Sequence, residues 1–270
     1  MSSDIDLDHV AVATERQADA WPRYAGDLAG AWVSGGESIG FHAAQVSYAN
    51  GMKVEVLEPH LVEQNDFLRR FLDANGPGPH HLTFKVPDIR AALGAAEAAG
   101  LSPVGVDLRD PQWQEAFLHP KQAHGVVVQL AQSQGTWESP PPPDLPTPAT
   151  DAPATLDHVT HVVASLEEAA TLFRDLLGGA EVGAGALDGG RFLDLAWPGG
   201  GRVRLVAAVA DDGGTSPWTA WLEGRPGRVH HLAFTVPDPA EVPDAVPADD
   251  GSWEVAPERN LGVRLVLRGA

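Results

Sequence analysis

Histidine is the residue type whose placement in this chain points most directly to chemistry. The motif LDHV at 7–10 recurs at 156–159, and HHLTFKVPD at 80–88 recurs as HHLAFTVPD at 230–238. A histidine side chain can act as an acid, a base or a metal ligand near neutral pH. The chain contains 0 cysteines, which excludes thiolate nucleophiles, disulfides and cysteine-ligated metal sites. Any metal must therefore be held by nitrogen and oxygen atoms.

The repeated motifs also decide the organisation of the chain. The two nonapeptides share seven of nine residues at an offset of 150, and KVEVL at 53–57 has a weaker echo in RVRLV at 202–206. A repeat of this kind indicates two homologous modules. We predict a first module over 1–132 and a second over 154–270. The linker between them, 133–153, is rich in proline, which favours an extended, semi-rigid spacer.

Each module divides further into two half-units, because two strand-like runs in the first module, DHVAVA and HHLTFKV, both carry an early histidine. Each half-unit is predicted to begin with a strand followed by a helix. Ser165, three residues before a glutamate, forms a capping box that predicts the start of one helix. Asp88 is placed to cap another, which Gly100 ends. Pro22 falls inside the expected first helix, which we predict to be kinked or to begin late.

The composition limits the possible partners. Lys and Arg number 18 against 37 Asp and Glu, for a net charge of −19, so the average field repels nucleic acids and anionic membranes. No apolar run approaches the roughly 18 residues that a membrane span needs. The first residues, MSSDIDLD, are acidic where a signal peptide would be basic. We expect a cytoplasmic protein with no nucleic-acid or membrane partner.

Three longer motifs, LDHVAVA, GPGPHHLTFKVPDI and EAFLHPKQAHGVVVQL, follow one another in the first module. Together they resemble the vicinal oxygen chelate superfamily, whose members include glyoxalases, bleomycin-resistance proteins and extradiol dioxygenases. Through KVEVLEP and FLHPK, the first module is most similar to the methylmalonyl-CoA epimerases. The resemblance implies an α+β fold of four tandem βαβββ half-units, with a cupped mixed sheet in each of two modules.

In that superfamily a metal lies in the cupped sheet, held by residues from the first and last strands of each half-unit. The resemblance places His9, Glu55, His81 and Gln129 at these positions. The separations support it, since His9 and Glu55 are 46 residues apart and His81 and Gln129 are 48 apart. Two imidazoles, one carboxylate and one amide oxygen suit one divalent ion of zinc, iron, manganese, cobalt or nickel.

The second module has lost this set of donors. Its corresponding positions carry His158, Arg204, His231 and Val266, and neither guanidinium nor valine can ligate a metal. We interpret the second module as a degenerate duplicate that supports the fold; the alternative is a second pocket in which Arg204 holds an anion. His161 follows His158 by three residues and so faces the other side of the strand, which indicates a structural role.

Proton transfer requires a base, and here the chain departs from its relatives. The last-strand ligand is usually glutamate in the epimerases and glyoxalases, whereas Gln129 cannot accept a proton near neutral pH. The epimerases instead carry glutamine where this chain has Glu55. The predicted catalytic residues are Glu55, acting as base after leaving the metal, and Glu37, which the resemblance places near a second catalytic glutamate. The predicted substrate-binding residues are His42, His124 and Lys121, the last of which could meet an anionic tail.

The resemblance implies a metal-dependent enzyme that acts on a small carbonyl or acyl substrate through a metal-stabilised enolate and proton transfer. Such an enzyme would be an isomerase or lyase of the glyoxalase or epimerase type. One alternative is a non-haem iron ring-cleaving dioxygenase built on His9, His81 and Glu55. Another is a metal-free small-molecule or drug-binding protein of the bleomycin-resistance type. A monomer and a homodimer are both compatible with two fused modules.

Overall fold

The first sheet contains eight strands in the computed structural model, which describes residues 4–135, 138–187, 189–209 and 216–270. The strands are Asp6–Ala13 (β1), Ala31–Ser38 (β2), Gly40–Ser47 (β3), Lys53–His60 (β4), Gly78–Lys85 (β5), Val104–Asp110 (β6), Trp113–Leu118 (β7) and Val127–Ser133 (β8). Their order across the sheet is β2-β3-β4-β1-β5-β8-β7-β6. The pairs β1–β4 and β5–β8 are parallel and the hairpin pairs are antiparallel. The sheet is therefore mixed and symmetric about its centre.

Besides the 3₁₀ turn Gln17–Asp19, three helical segments accompany the described strands of the first sheet. They are a π-helical segment, Pro22–Asp27, and the helices Phe67–Asn75 (α1) and Ile89–Ala98 (α2). Asp88 caps α2 as predicted, because its side chain accepts hydrogen bonds from the backbone N–H groups of Arg90 and Ala91. Pro22 occupies the first position of its segment, where a missing N–H costs no helical hydrogen bond. The prediction that this helix begins late is confirmed.

The second sheet repeats the first. Its strands are Thr155–Val163 (β9), Ala180–Leu187 (β10), Gly190–Ala196 (β11), Arg202–Ala208 (β12), Gly227–Val236 (β13), Val246–Pro247 (β14), Trp253–Val255 (β15) and Leu265–Gly269 (β16). The order β10-β11-β12-β9-β13-β16-β15-β14 matches the first sheet strand for strand. The predicted α+β fold of two modules, each with two βαβββ half-units and a mixed sheet, is confirmed.

The helices of the second module are shorter. Leu166–Ala170 (α3) begins at Ser165, whose hydroxyl accepts a hydrogen bond from the N–H of Glu168, and continues as a π-helical segment over Thr171–Leu176. A second helix, α4, spans Pro217–Leu222. Where the first module has α2, the second has only the 3₁₀ turn Pro239–Glu241, because the local prolines remove helix donors. Among the described residues, no helix has the length and apolar character needed to cross a membrane.

The described residues pack into two compact units, each of which combines residues of both sheets. One unit comprises the described residues of 1–8, 81–135 and 158–230. Within it, the ring of Phe84 lies 6.3 Å from the ring of Phe173 and 5.2 Å from that of Trp197. These large aromatic side chains are buried, so β5 of the first sheet shares a hydrophobic core with the helical segment and sheet of the second module.

The other unit comprises the described residues of 9–80, 136–157 and 231–270. Its core joins Tyr48 and Phe234, whose rings lie 5.0 Å apart. The Tyr48 hydroxyl donates to the carbonyl of Tyr24 at 3.2 Å, and the Asn260 amide donates to the Tyr24 hydroxyl at 3.3 Å. The bond between Asn260 and Tyr24 therefore joins buried polar groups from different modules.

From residue 138 to 153 the linker lies against the first module and forms neither a helix nor a strand. The indole N–H of Trp32 donates to the carbonyl of Ser139 at 2.7 Å, and the Ser139 hydroxyl accepts from the N–H of Gly35 at 2.7 Å. Further along, the N–H of Ala149 donates to the carbonyl of Gly26 at 3.0 Å. The proline-rich segment is therefore held in place by hydrogen bonds at several points along its length.

Candidate metal centre

His9 and Glu55 lie on the same face of neighbouring strands. On β4, Val54 and Val56 are fully buried on the opposite side from Glu55, because side chains alternate along a strand. His9, on β1, is 1% exposed and Glu55 is 8% exposed. The His9 Nε2 atom lies 3.4 Å from Glu55 Oε2. A buried carboxylate beside a buried imidazole is an arrangement that suits a cation.

His81 completes a group of three donors. It lies on β5 and is 5% exposed, while Leu82 and Phe84 point the other way and are fully buried. One ligand atom each from His9, Glu55 and His81 lies within 4.8 Å of the others. Among the described histidines and carboxylates, this is the group whose donors are close enough to hold a metal. The structure brings together three of the four predicted ligands.

Glu55 is further fixed by its neighbour on β3. Gln45 lies directly opposite Glu55, and its amide N–H donates to Glu55 Oε1 at 3.0 Å. Beyond this pair, the same face carries a buried apolar cluster of Ala11, Ala13 and Leu57 with Leu68 and Leu72 of α1. Because Ala11 lies beside Glu55 on the neighbouring strand, the carboxylate has apolar neighbours on this side.

Gln129, the fourth predicted ligand, is buried on β8 with both ends of its amide hydrogen-bonded. Thr83 donates its hydroxyl hydrogen to Gln129 Oε1 at 2.5 Å, and Gln129 Nε2 donates to Glu115 Oε2 at 2.6 Å. The same Glu115 oxygen accepts from the indole N–H of Trp113 at 2.8 Å. An amide oxygen has two lone pairs, so Oε1 retains one beyond the bond to Thr83.

Sequence reasoning missed Thr83 and Glu115. Thr83 could have been found, because it lies two residues after His81 and therefore on the same strand face. Glu115 could not, because its contact with Gln129 depends on the register of β7 against β8. In that register Phe117, and not Glu115, lies directly opposite Gln129.

His80, the neighbour of His81, has a packing role. Its ring lies 4.7 Å from that of Phe71 and 5.9 Å from that of Phe67, both on α1. Desolvation by burial lowers the pKa of His80 to about 4, and the charge of Glu55 only partly opposes this. His230 repeats the arrangement in the second module, 4.7 Å from Trp221. The first histidine of each pair therefore packs against aromatic rings.

The structure does not bring Glu37 or His42 to the group. Glu37 lies opposite His42, and His42 lies opposite Glu58. Gln45, which faces Glu55, is three residues from His42, so the two side chains point to opposite faces of β3. Glu37 is exposed, with its Oε2 atom 3.7 Å from Nε2 of His60. Both residues therefore belong to the other face of the sheet.

The two remaining predicted substrate contacts lie in the turn before β8. Lys121 is exposed, and its backbone N–H donates to Nδ1 of His119 at 3.1 Å. His124 is half-buried with a φ of 51°, and its carbonyl accepts from Nε2 of His161 at 2.8 Å. Burial lowers the pKa of His124. The contact of His124 is with the second module, and neither contact involves the three donors.

His161 has the structural role expected of it. Its side chain is fully buried and its ring packs edge-on against Phe173, with the centroids 6.0 Å apart. Burial lowers the pKa of His161 to about 4, although its bond to the His124 carbonyl acts in the opposite direction. The imidazole is therefore neutral at pH 7.

The second sheet carries an ion pair in place of a ligand. Arg204 Nε and Nη2 donate to the two carboxylate oxygens of Asp194 at 2.7 and 2.8 Å. The guanidinium also lies 4.7 Å from the centre of the Phe192 ring. The alternative interpretation was a pocket in which Arg204 holds an anionic ligand. In the structure the guanidinium of Arg204 instead binds the carboxylate of Asp194.

The position equivalent to Gln129 has also lost its donor in the second sheet. Val266 lies beside Ala233 in the second sheet, as Gln129 lies beside Thr83 in the first. The hydroxyl and the amide are both absent, so the second sheet has lost the whole hydrogen-bonded pair.

A match to a known family covers most of the first sheet but not β8. Residues 8–117 match the profile of the Glyoxalase/Bleomycin resistance protein/Dioxygenase superfamily. This part of the first module is therefore similar to that superfamily. The group of His9, Glu55 and His81 lies within this matched stretch. Among curated proteins, none matches the sequence.

Solved structures similar to this chain have low sequence identity to it. A triple variant of 4-hydroxymandelate synthase from Streptomyces coelicolor has a TM-score of 0.62 and 14% identity, over 86% of this chain and 71% of that one. Methylmalonyl-CoA epimerase from Mycobacterium tuberculosis has a TM-score of 0.45 and 25% identity, over 50% of this chain and 93% of that one. A hypothetical protein of Bacillus halodurans C-125 has a TM-score of 0.44 and 26% identity, over 51% of this chain and 100% of that one. The synthase shares the fold over most of this chain.

Proposed function

We propose that the first module is a metal-dependent enzyme that acts on a small carbonyl or acyl substrate through an enolate and proton transfer. The observation that carries this proposal is the buried group of His9, Glu55 and His81, with donor atoms within 4.8 Å of one another. Burying two histidines and a carboxylate on one sheet face is costly unless a cation or hydrogen bonds compensate. A metal ion would provide that compensation.

The donor set fits a divalent first-row ion. Two imidazoles and one carboxylate are ligands that zinc, iron, manganese, cobalt and nickel accept, and the amide oxygen of Gln129 is the proposed fourth ligand. When bound there, the ion would polarise a substrate carbonyl and stabilise the negative charge of the enolate. We expect one such ion per chain, because the second sheet has Arg204 and Val266 in place of two donors.

Glu55 is the proposed base. Gln45 holds its Oε1 atom by a hydrogen bond of 3.0 Å, which leaves Oε2, on the side of His9, to receive the proton. Apolar side chains of Ala11 and Leu57 lie on the same sheet face as this carboxylate. Glu37 lies on the other face of the sheet, so Glu55 is the better candidate of the two.

A second candidate function is oxygen-dependent ring cleavage. Both ends of the Gln129 amide are hydrogen-bonded within the protein, and the remaining donors are two histidines and one carboxylate. That set is typical of non-haem iron oxygenases. The geometry favours this function if Gln129 does not ligate.

Isotope exchange separates the two functions. The protein is loaded with one metal at a time and incubated in deuterated water with a 2-substituted acyl thioester or a hemithioacetal, and α-deuterium incorporation is followed. Metal-dependent incorporation supports the proton-transfer proposal. Oxygen uptake with a catechol, requiring iron and without exchange, would replace it with the oxygenase. A folded protein that retains no metal would support the metal-free binding alternative.

A further inference from the structure

We propose that Glu115 is a positioning residue for the metal site, supplying from the neighbouring strand the negative charge that Gln129 lacks as a ligand. The inference rests on the proposed metal site and assigns a role to a carboxylate outside the donor group. Glu115 and Gln129 would then act as a pair, one contributing the charge and the other the ligand atom.

The hydrogen bonds fix the orientation of the Gln129 amide. An ionised carboxylate accepts hydrogen bonds only, so the contact of 2.6 Å with Glu115 requires the NH₂ end of Gln129 on that side. The amide oxygen is therefore on the side of Thr83, which donates to it at 2.5 Å. Thr83 shares a face of β5 with His81. The pair of bonds presents the oxygen, and not the nitrogen, on the side of the strand that carries His81.

The charge of Glu115 also affects the ligand electronically. Hydrogen bonds to a charged acceptor are stronger than neutral ones, and donating to a carboxylate draws electron density towards the amide oxygen. Partners of this kind raise the basicity of metal ligands. Trp113 holds the same Glu115 oxygen at 2.8 Å, so the carboxylate cannot turn away without losing two bonds.

The second module offers an internal comparison. Where Thr83 and Gln129 lie side by side in the first sheet, the second has Ala233 and Val266. The second sheet, which has Arg204 where the first has Glu55, also lacks the hydrogen-bonded pair of a threonine and a glutamine. Both sheets nevertheless have the same strand order. The arrangement is therefore dispensable for the fold, which supports its assignment to the metal site.

Exchanging the two residues tests the pair. The full-length protein is freed of metal and titrated with Co²⁺, following both the affinity and the visible absorption of the bound ion. Glu115→Gln should weaken Co²⁺ binding by about 10- to 100-fold, the usual effect of losing such a partner. Gln129→Glu alone places two carboxylates at hydrogen-bonding distance and should also bind poorly. The double exchange restores a carboxylate–amide pair and should recover most of the affinity.

Two controls separate this role from other effects. Glu97→Gln, an exposed change on α2 with the same loss of charge, should leave the Co²⁺ affinity unchanged. If Glu115→Gln fails to fold, Thr83→Val tests the other end of the amide; it should weaken binding, whereas Thr83→Ser should not.

The outcomes are distinguishable. Wild-type affinity and an unchanged cobalt spectrum in folded Glu115→Gln would overturn the inference and leave the proposed function standing. Weak binding that the double exchange does not rescue would make Glu115 merely structural, which also overturns it. If the wild-type protein binds no Co²⁺, the proposed function fails, and the role of Glu115 fails with it.

Discussion

Arg204 occupies in the second sheet the position that Glu55 occupies in the first. Glu55 pairs with Ala11 of β1 and Arg204 with Thr160 of β9, in the same parallel register. Each is bonded to the residue directly opposite on the next strand, which is Gln45 for Glu55 and Asp194 for Arg204. One position of a duplicated sheet thus holds a proposed metal ligand in one copy and an ion pair in the other.

This equivalence predicts that the second module can be given a metal site. Arg204→Glu and Val266→Glu would supply the missing donors beside the existing histidines. Asp194→Gln must be added, because Asp194 would otherwise repel the new carboxylate. The triple variant should bind about one additional metal ion per chain by elemental analysis.

The matched control replaces the new carboxylates with amides, as Arg204→Gln, Val266→Gln and Asp194→Gln, and should bind no additional metal tightly. A folded triple variant with unchanged metal content would contradict the equivalence of the two sheets.

A second prediction concerns the base. Glu55→Gln should keep some metal, because an amide oxygen can ligate, but should slow α-proton exchange by about 10²-fold or more at equal metal occupancy. Glu37→Gln is the control, and it should have little effect because Glu37 is exposed on the other face of the sheet. Equal exchange rates in the wild type and Glu55→Gln would remove Glu55 as the base.

Much of the fold could be predicted from the sequence because its signals are local or repeated. The recurring nonapeptide gave the duplication, and the capping side chains of Asp88 and Ser165 lie at the helix starts that they predict. His9, Glu55 and His81 lie on central strands, where alternation between the two faces is regular. Their convergence follows from strand order and parity.

The other predicted site residues depended on features that short-range patterns do not contain. Glu37 lies on β2, which has a register shift between Trp32 and Ser34, and a slip of one residue reverses the face of a side chain. The face of His42 follows from its pairing with Glu58 on β4. The bonds from Glu115 to Gln129 and from Asp194 to Arg204 join different strands, so their detection requires the register of those strands.

A third prediction concerns the pH dependence of stability. Burial lowers the pKa of His161 to about 4 from the ordinary 6.5, so the unfolded chain binds the proton more tightly. The resulting stability is fully present above pH 6.5 and is lost as the pH falls to 4; for this shift it amounts to about 3 kcal/mol.

The free energy of unfolding can be measured in urea at pH 4.5 and at pH 7.5. Its change between the two pH values should be smaller for His161→Gln than for the wild type. Some dependence should persist in the variant, because burial also lowers the pKa of His80 to about 4. An identical difference in both proteins would show that His161 does not contribute.

Metal content tests the central claim most directly. The full chain is purified without chelator, supplied with a divalent ion, freed of excess and analysed for bound metal, alongside two paired variants with confirmed folding. The wild type and the control His158→Ala with His231→Ala should each hold about one ion per chain, and His9→Ala with His81→Ala should hold none. Metal retained by the His9 and His81 variant, or lost from the His158 and His231 variant, would contradict a site in the first module.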